Sequence, residues 1–416
     1  MICAKELYQC NKVDFYLRNF MNKASLPPFW IIAFIAGLPL FAETVYTPSL
    51  PDIAHVFKVS ESMAEYTLTI YIFGMAAGIL FWGHLSDRIG RKPCVLAGLF
   101  FFIVGCIGCY FSVSIYVLMF FRLIQAFGGS VGNVLAQSIA RDAFQGASLG
   151  KLYSVVASSL AIFPAIGPVI GGHIAEYLGW NDIFLFLIIF ALVLGWSVIK
   201  ELPETHNAKD QKPISFMEVL PLMIKDKKVI GFSLLVASSN GLGFCYFAEA
   251  PFYLIKLLGL RPSEYGFTFI AVAISAMFGG LCSARLQDNH KSKSILGYGL
   301  LLILISGLSF SLIILYSMKI EQIPNFVLII VVVVGQMIIT FGRGLVNANA
   351  LALALVDYKW CVGTASSLFG CFYYFIISLF TFGMGVLHNG TLLPMPLYFL
   401  AIGLFMMLVR KKMLRS

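Results

Sequence analysis

Twelve apolar stretches run along the chain with short polar breaks between them. About 20 helical residues cover the roughly 30 Å hydrocarbon core of a bilayer, so each stretch reads as a membrane-spanning helix. The spans are expected near 29–48, 64–83, 93–113, 116–140, 151–175 and 181–200, then near 229–254, 265–284, 294–317, 325–352, 362–387 and 391–410. One polar interruption is long, ELPETHNAKDQKPISFMEVLPLMIKDKK at 201–228, and it divides the spans six and six. The expected fold is an all-α polytopic membrane protein. Its parts are an N-terminal extension 1–28, a six-helix bundle 29–200, a central loop 201–228, a second six-helix bundle 229–410 and a tail 411–416.

Composition agrees with this pattern. Hydrophobic residues make up 59% of the chain and charged residues 12%, whereas soluble domains carry about a quarter charged. The net charge of +9 lies in short loops and at the termini, not on one amphipathic face, which excludes a nucleic-acid binder. Assigning both termini to the cytoplasm leaves only Lys58, Lys256, Arg261 and Lys319 in the opposite loops, out of 29 Lys and Arg. Arg122 and Arg343 lie within spans. That bias is the positive-inside signature of a multi-pass protein with both ends inside. The extension, with Lys5, Lys12, Arg18 and Lys23, is expected to form a cytoplasmic surface helix. The first apolar stretch is too long for a signal-peptide core and is expected to remain as the first helix. Nine cysteines show no metal or disulfide spacing; Cys106 and Cys109 sit in an apolar run without a second pair.

The two halves repeat each other. Phe41-Ala42-Glu43 returns as Phe247-Ala248-Glu249, with Gly37 and Gly243 preceding each at the same distance. FWGHLSDR at 81–88 faces FGGLCSAR at 278–285, sharing Phe, Gly, Ser and Arg. Two repeats with a midplane site between them are the architecture of an alternating-access transporter. The loop GHLSDRIGRKP at 83–93 must turn the chain straight back into the membrane. Gly83 and Gly90 allow the turn, Arg88, Arg91 and Lys92 hold it inside, and Asp87 gives those cations a partner.

That loop resembles motif A of the major facilitator superfamily, and three further stretches are similar to its Bcr/CflA drug-resistance transporters. FAETVYTPSLPDIAHVF at 41–57 resembles their acidic-x-x-Tyr-x-Pro-x-Leu-Pro pattern. RLIQAFGG at 122–129, with ARDAF at 140–144, resembles motif B and the Arg-Asp ending of helix 4. FPAIGPVIGG at 163–172 is similar to motif C, which is associated with antiporters. Position 43 carries Glu where many relatives have Asp, and position 249 carries Glu where a small or polar residue is common. The resemblance implies a proton-driven exporter of small amphipathic antimicrobials or metabolites in a bacterial inner membrane, acting as a monomer without cofactor. A metabolite symporter on the same fold is the alternative.

Ionisable side chains inside a bilayer cost about 2.5–3.5 kcal/mol each and so mark function. Glu43, Arg122, Glu249 and Arg343 are the four read within spans. Glu43 is expected to couple protons, with Glu249 as a second proton or substrate-charge site and Arg122 as their modulator; structural Glu43–Arg122 and Glu249–Arg343 ion pairs are the competing reading. Tyr46, Asn240 and Arg343 are expected at the substrate cavity. By resemblance, Gly83, Asp87, Arg88, Gly90, Arg91, Lys92 and Asp142 form a conformational latch, and Gly167, Pro168, Gly171 and Gly172 a close-packed, kinked motif C helix. No hydrolase triad, nucleotide loop or metal cluster is present, and His84, His173 and His388 read as standing alone near span ends, so an enzyme is not expected.

Overall fold

The computed structural model describes residues 26–205, 216–319 and 323–414. Among them, twelve helices are long and apolar enough to cross a membrane. The first half contains α1 (Phe29–Val56), α2 (Glu61–Ile89), α3 (Arg91–Tyr110), α4 (Ile115–Ala143), α5 (Ser148–Tyr177) and α6 (Asp182–Glu201). The second contains α7 (Lys227–Leu257), α8 (Pro262–Leu286), α9 (Ser292–Ser317), α10 (Asn325–Tyr358), α11 (Gly363–Leu387) and α12 (Pro394–Met413). The all-α, twelve-span architecture expected from hydropathy is the one the chain adopts. The expected surface helix of the extension falls, through residue 25, outside the described residues, as do 206–215 and 415–416.

Each half has its own hydrophobic core. The lipid side is apolar as well: Leu185, Ile189, Leu192 and Trp196 lie exposed along one face of α6, at helical spacing. Within the halves, small residues let backbones meet. A Cβ on Gly128 of α4 would lie 2.5 Å from the Gly98 carbonyl of α3, and one on Gly342 of α10 would lie 2.9 Å from the Gly299 carbonyl of α9. The same small-residue contact thus recurs in both repeats.

The halves join where α2 packs along α11 and α5 along α8. At the motif A end, α4, α10 and α11 part around a cavity of about 340 Å³. At the other end the halves are shut: Tyr66 of α2 stacks on Phe382 of α11 with ring centroids 5.0 Å apart, and the Ser263 amide of α8 donates to Glu176 of α5 at 3.1 Å.

Helix ends depart from the expected windows. α2 begins at Glu61 because Ser60 caps it, its hydroxyl accepting from the Met63 amide at 3.3 Å. It runs on to Ile89, where Gly90 at a φ of +100° turns the chain. Glu61 and Glu65 therefore lie one turn apart on a spanning helix. The central segment, read as a polar loop, also holds a helix, Phe216–Lys225, which buries Val219 and Met223 as it packs on α11.

Candidate functional site

The first-half site is built on α1, α2 and α4. Glu43 of α1 is 3% exposed, and its Oε1 has no hydrogen-bond partner. Arg122 of α4 is fully buried, its guanidinium carbon 4.1 Å from the ring centroids of both Tyr46 and Tyr71. Two aromatic faces, each worth up to about 2 kcal/mol for a desolvated cation, offset much of its burial cost. The rings are themselves fixed: Tyr46 shares a 2.7 Å hydrogen bond with Thr67, and Tyr71 donates to the Pro39 carbonyl at 2.8 Å. Arg122 Nη1 donates to Gln125 at 2.8 Å, while Nε and Nη2 have no partner. Arg122 is the charge acting on Glu43, yet no ion pair within 4.0 Å joins them among the described residues. The structure stacks Arg122 on Tyr46 and leaves Glu43 near the arginine without an ion pair.

The second half is arranged differently. Glu249 of α7 is fully buried and meets His388, the residue that ends α11, with Oε1 and Nδ1 2.9 Å apart. Nδ1 also lies 3.3 Å from Glu65 Oε1, and Nε2 lies 2.8 Å from Glu61 Oε2. Lys256 pairs with the other oxygen of Glu61. The Glu249–Arg343 pairing weighed from the sequence is absent among the ion pairs of the described residues. Arg343 instead lies over Gly243, where a Cβ would sit 2.2 Å from its Nη1. His388 is likewise not alone: it is the hub of three carboxylates. Sequence reasoning missed Glu61, Glu65 and His388. The signal for the two carboxylates was Glu65 inside the expected span 64–83, with Glu61 four residues earlier on the same helix face; His388 gave none.

The remaining candidates fall into place around these sets. Asn347 of α10 donates to Asn240 of α7 at 3.0 Å. Asn133 of α4 donates across the halves to Tyr374 of α11 at 2.8 Å. The 340 Å³ cavity is lined by Asn133, Gln137, Arg141, Ser366 and Tyr373 among others, whereas Tyr46, Asn240 and Arg343 are not on its wall. Tyr46 is a stacking partner of Arg122 instead.

In the motif A loop, Arg91 Nε donates to Asp142 at 2.9 Å, and Nη1 donates to Asp87 at 2.6 Å and to Ser86 at 2.8 Å. Glu204, just after α6, accepts from the amides of Arg91 and Lys92 at 2.9 and 3.1 Å and so caps α3. Its carboxylate explains Gly90: a Cβ there would lie 2.6 Å from Oε2. Lys92 donates to the Ile199 carbonyl near the end of α6 at 2.8 Å. Arg88 is exposed, and Gly83 packs against Ser367 of α11. In motif C, a Cβ on Gly167 would strike Thr44, one on Gly171 would lie 1.8 Å from the Val45 carbonyl, and one on Gly172 2.2 Å from the Pro262 carbonyl. Pro168 interrupts the α5 hydrogen bonds, and its carbonyl meets Gly266 of α8. Motif C thus sits where α5 crosses both α1 and the other half.

The sequence model described as Major Facilitator Superfamily matches residues 29–382 of this chain. The chain belongs to the Major Facilitator Superfamily. Among curated members, a Rickettsia felis protein named an uncharacterized transporter is 34% identical, over 88% of this chain and 91% of its own length. A bicyclomycin resistance protein homolog of Haemophilus influenzae is 27% identical, over 82% of this chain and 84% of its own. Multidrug resistance protein D of Escherichia coli is 24% identical, over 82% and 84%. Among solved structures, a D-xylose-proton symporter superposes with a TM-score of 0.72 at 16% identity, over 90% of this chain and 95% of that one. That likeness shows the fold. The superfamily consists of transporters, not enzymes, and its drug-resistance members are among the relatives.

Proposed function

We propose that the protein is a proton-coupled antiporter that exports small amphipathic antimicrobials from a bacterial cytoplasm by alternating access. It would sit in the inner membrane as a monomer with both termini inside, and need no cofactor. The observation that carries the reading is the Glu43–Arg122 set, with unpaired polar atoms on both members in a buried setting. Arg122 is held as a cation between two rings, so the charge of the set turns on Glu43. Ionised, Glu43 balances Arg122; protonated, it leaves the arginine uncompensated. A substrate and a proton that each alter this balance exclude one another, which is the requirement for exchange. The names of the resistance-conferring relatives support drugs as the substrate class.

In this reading the cavity between α4, α10 and α11 is the cytoplasmic entry for cargo. Arg91, Asp87 and Asp142 act as the latch that reforms or breaks as the ends alternate. Gly167, Pro168, Gly171 and Gly172 seal the opposite end against α1 and α8. Energetically one proton is enough. A membrane potential of 100 mV and one pH unit together supply about 3.7 kcal/mol, enough for a gradient of several hundred-fold in a neutral substrate.

The test is dye accumulation in a drug-sensitive bacterial host. Cells making the protein should hold several-fold less of a fluorescent amphipathic dye than controls, a protonophore should erase the difference, and Glu43→Gln should behave as the control. Accumulation equal to the control for a full panel of amphipathic compounds contradicts drug export.

A further inference from the structure

We infer that Glu65, Glu249 and His388 form a proton-binding site shared between the two halves, and that capturing protons there closes the end of the transporter opposite motif A. Glu61 and Glu65 come from α2 of the first half; Glu249 and Lys256 come from α7, and His388 from the end of α11, in the second. The cluster therefore exists only while this end is shut.

The geometry specifies the protons. Both ring nitrogens of His388 face carboxylates, Nε2 toward Glu61 at 2.8 Å and Nδ1 toward Glu249 at 2.9 Å. A neutral imidazole has one N–H and an ionised carboxylate only accepts, so satisfying both sides requires the imidazolium. Three carboxylates then face two cations, His388 and Lys256, leaving one negative charge in a buried place. Glu65 and Glu249 lie within the same 4.8 Å group; both oxygens of Glu65 and Oε2 of Glu249 are without a hydrogen-bond partner. One proton shared between them gives each carboxyl a partner in the other and brings the cluster to neutrality. Cys245 and Tyr253 of α7 also lie within electrostatic reach of the pair. The Phe252 ring covers His388 at 5.5 Å.

Opening would part Glu61 and Glu65 from His388, Glu249 and Lys256 and return the imidazole to water. In the closed form burial works against the imidazolium, but its hydrogen bond to Glu249 and its contact with Glu65 outweigh this and raise the pKa from 6.5 to about 9. A pKa raised in the closed form stabilises that form fully below about 6.5 and loses its effect as pH climbs through about 9. Protons reaching this end from outside would shut it and send the molecule to its inward-open form, the step an exporter needs before it can take up cargo. This role in the cycle rests on the proton-coupled reading above; the switch itself does not.

The experiment places spin labels at Val113 and Lys319, exposed in the α3–α4 loop and just after α9 at this end. The full-length chain, cysteine-free apart from these two, is reconstituted in nanodiscs without substrate, and the distance distribution is followed from about pH 6 to pH 9.5. A short distance should dominate at low pH, and the closed-to-open ratio should fall by up to tenfold per pH unit above about 6.5 for one proton released. His388→Gln should abolish that response. Glu61→Gln, at the more accessible rim, should move the midpoint to lower pH. A distance independent of pH in the parent protein, or a response unchanged by both His388→Gln and Glu61→Gln, overturns the site. So does a short distance restored at pH 9 by Zn²⁺ or Mn²⁺ and lost in His388→Gln, which would assign the cluster to a metal ion. Because no substrate or gradient is used, failure of drug export in the dye assay leaves this result standing.

Discussion

Arg122 carries its charge with only one hydrogen-bonded nitrogen because two tyrosine rings take the place of water. This makes the rings more important than their hydroxyls. Tyr71→Phe removes one hydrogen bond to Pro39 and should cost about 1 kcal/mol at most. Tyr71→Leu removes a cation–π face worth about 2 kcal/mol and should lower dye export at least tenfold. Equal loss in the two variants, read in the dye assay at matched expression, would contradict the stacking role. Arg122→Lys should also fail, since a compact ammonium cannot lie flat between two rings. Glu43 and Arg122 were legible in the sequence because a charge inside an apolar run is its own signal. His388 was not. It sits just past a helix end, where a polar residue is ordinary, and its partner Glu249 is 139 positions away.

At the scale of helices, motif C gives the sharpest expectation. Gly171 touches the Val45 backbone of α1, and a Cβ would intrude to 1.8 Å of a carbonyl that no rotamer change can move. Gly171→Ala should therefore force α5 off α1 and lower stability by about 1–3 kcal/mol. Gly280→Ala, where nothing lies within 4 Å, should be neutral or slightly stabilising. Thermal unfolding in detergent separates the two; equal melting temperatures would remove the close-contact argument. The twelve helices could be read from the chain because hydrocarbon admits hardly any other backbone. Their ends could not, since caps and polar turns such as Ser60-Glu61 carry no hydropathy signal. The Phe216–Lys225 helix escaped for a related reason: ten residues with charged flanks resemble a loop until α11 covers Val219 and Met223.

For the whole molecule, the two ends are held by different chemistry. The motif A end has an exposed-rimmed ion-pair network around Arg91, and the opposite end has buried carboxylates around His388. Asp87→Asn protein should reach the membrane at normal levels yet transport poorly; normal export from that variant would count against the latch. The sequence pointed to the repeat and to the motif A loop. It could not show that Glu43 and Glu249, equivalent in the repeat, have unlike partners, because those partners come from non-equivalent positions: Arg122 from about two turns inside one helix and His388 from the end of another. The most direct test of the account is proton movement in inverted membrane vesicles energised to an acidic interior, with amphipathic antimicrobials added outside. A transported drug should make the interior more alkaline, and Glu43→Gln should abolish the response. Drug uptake without proton movement, or an unchanged response in Glu43→Gln, would contradict it.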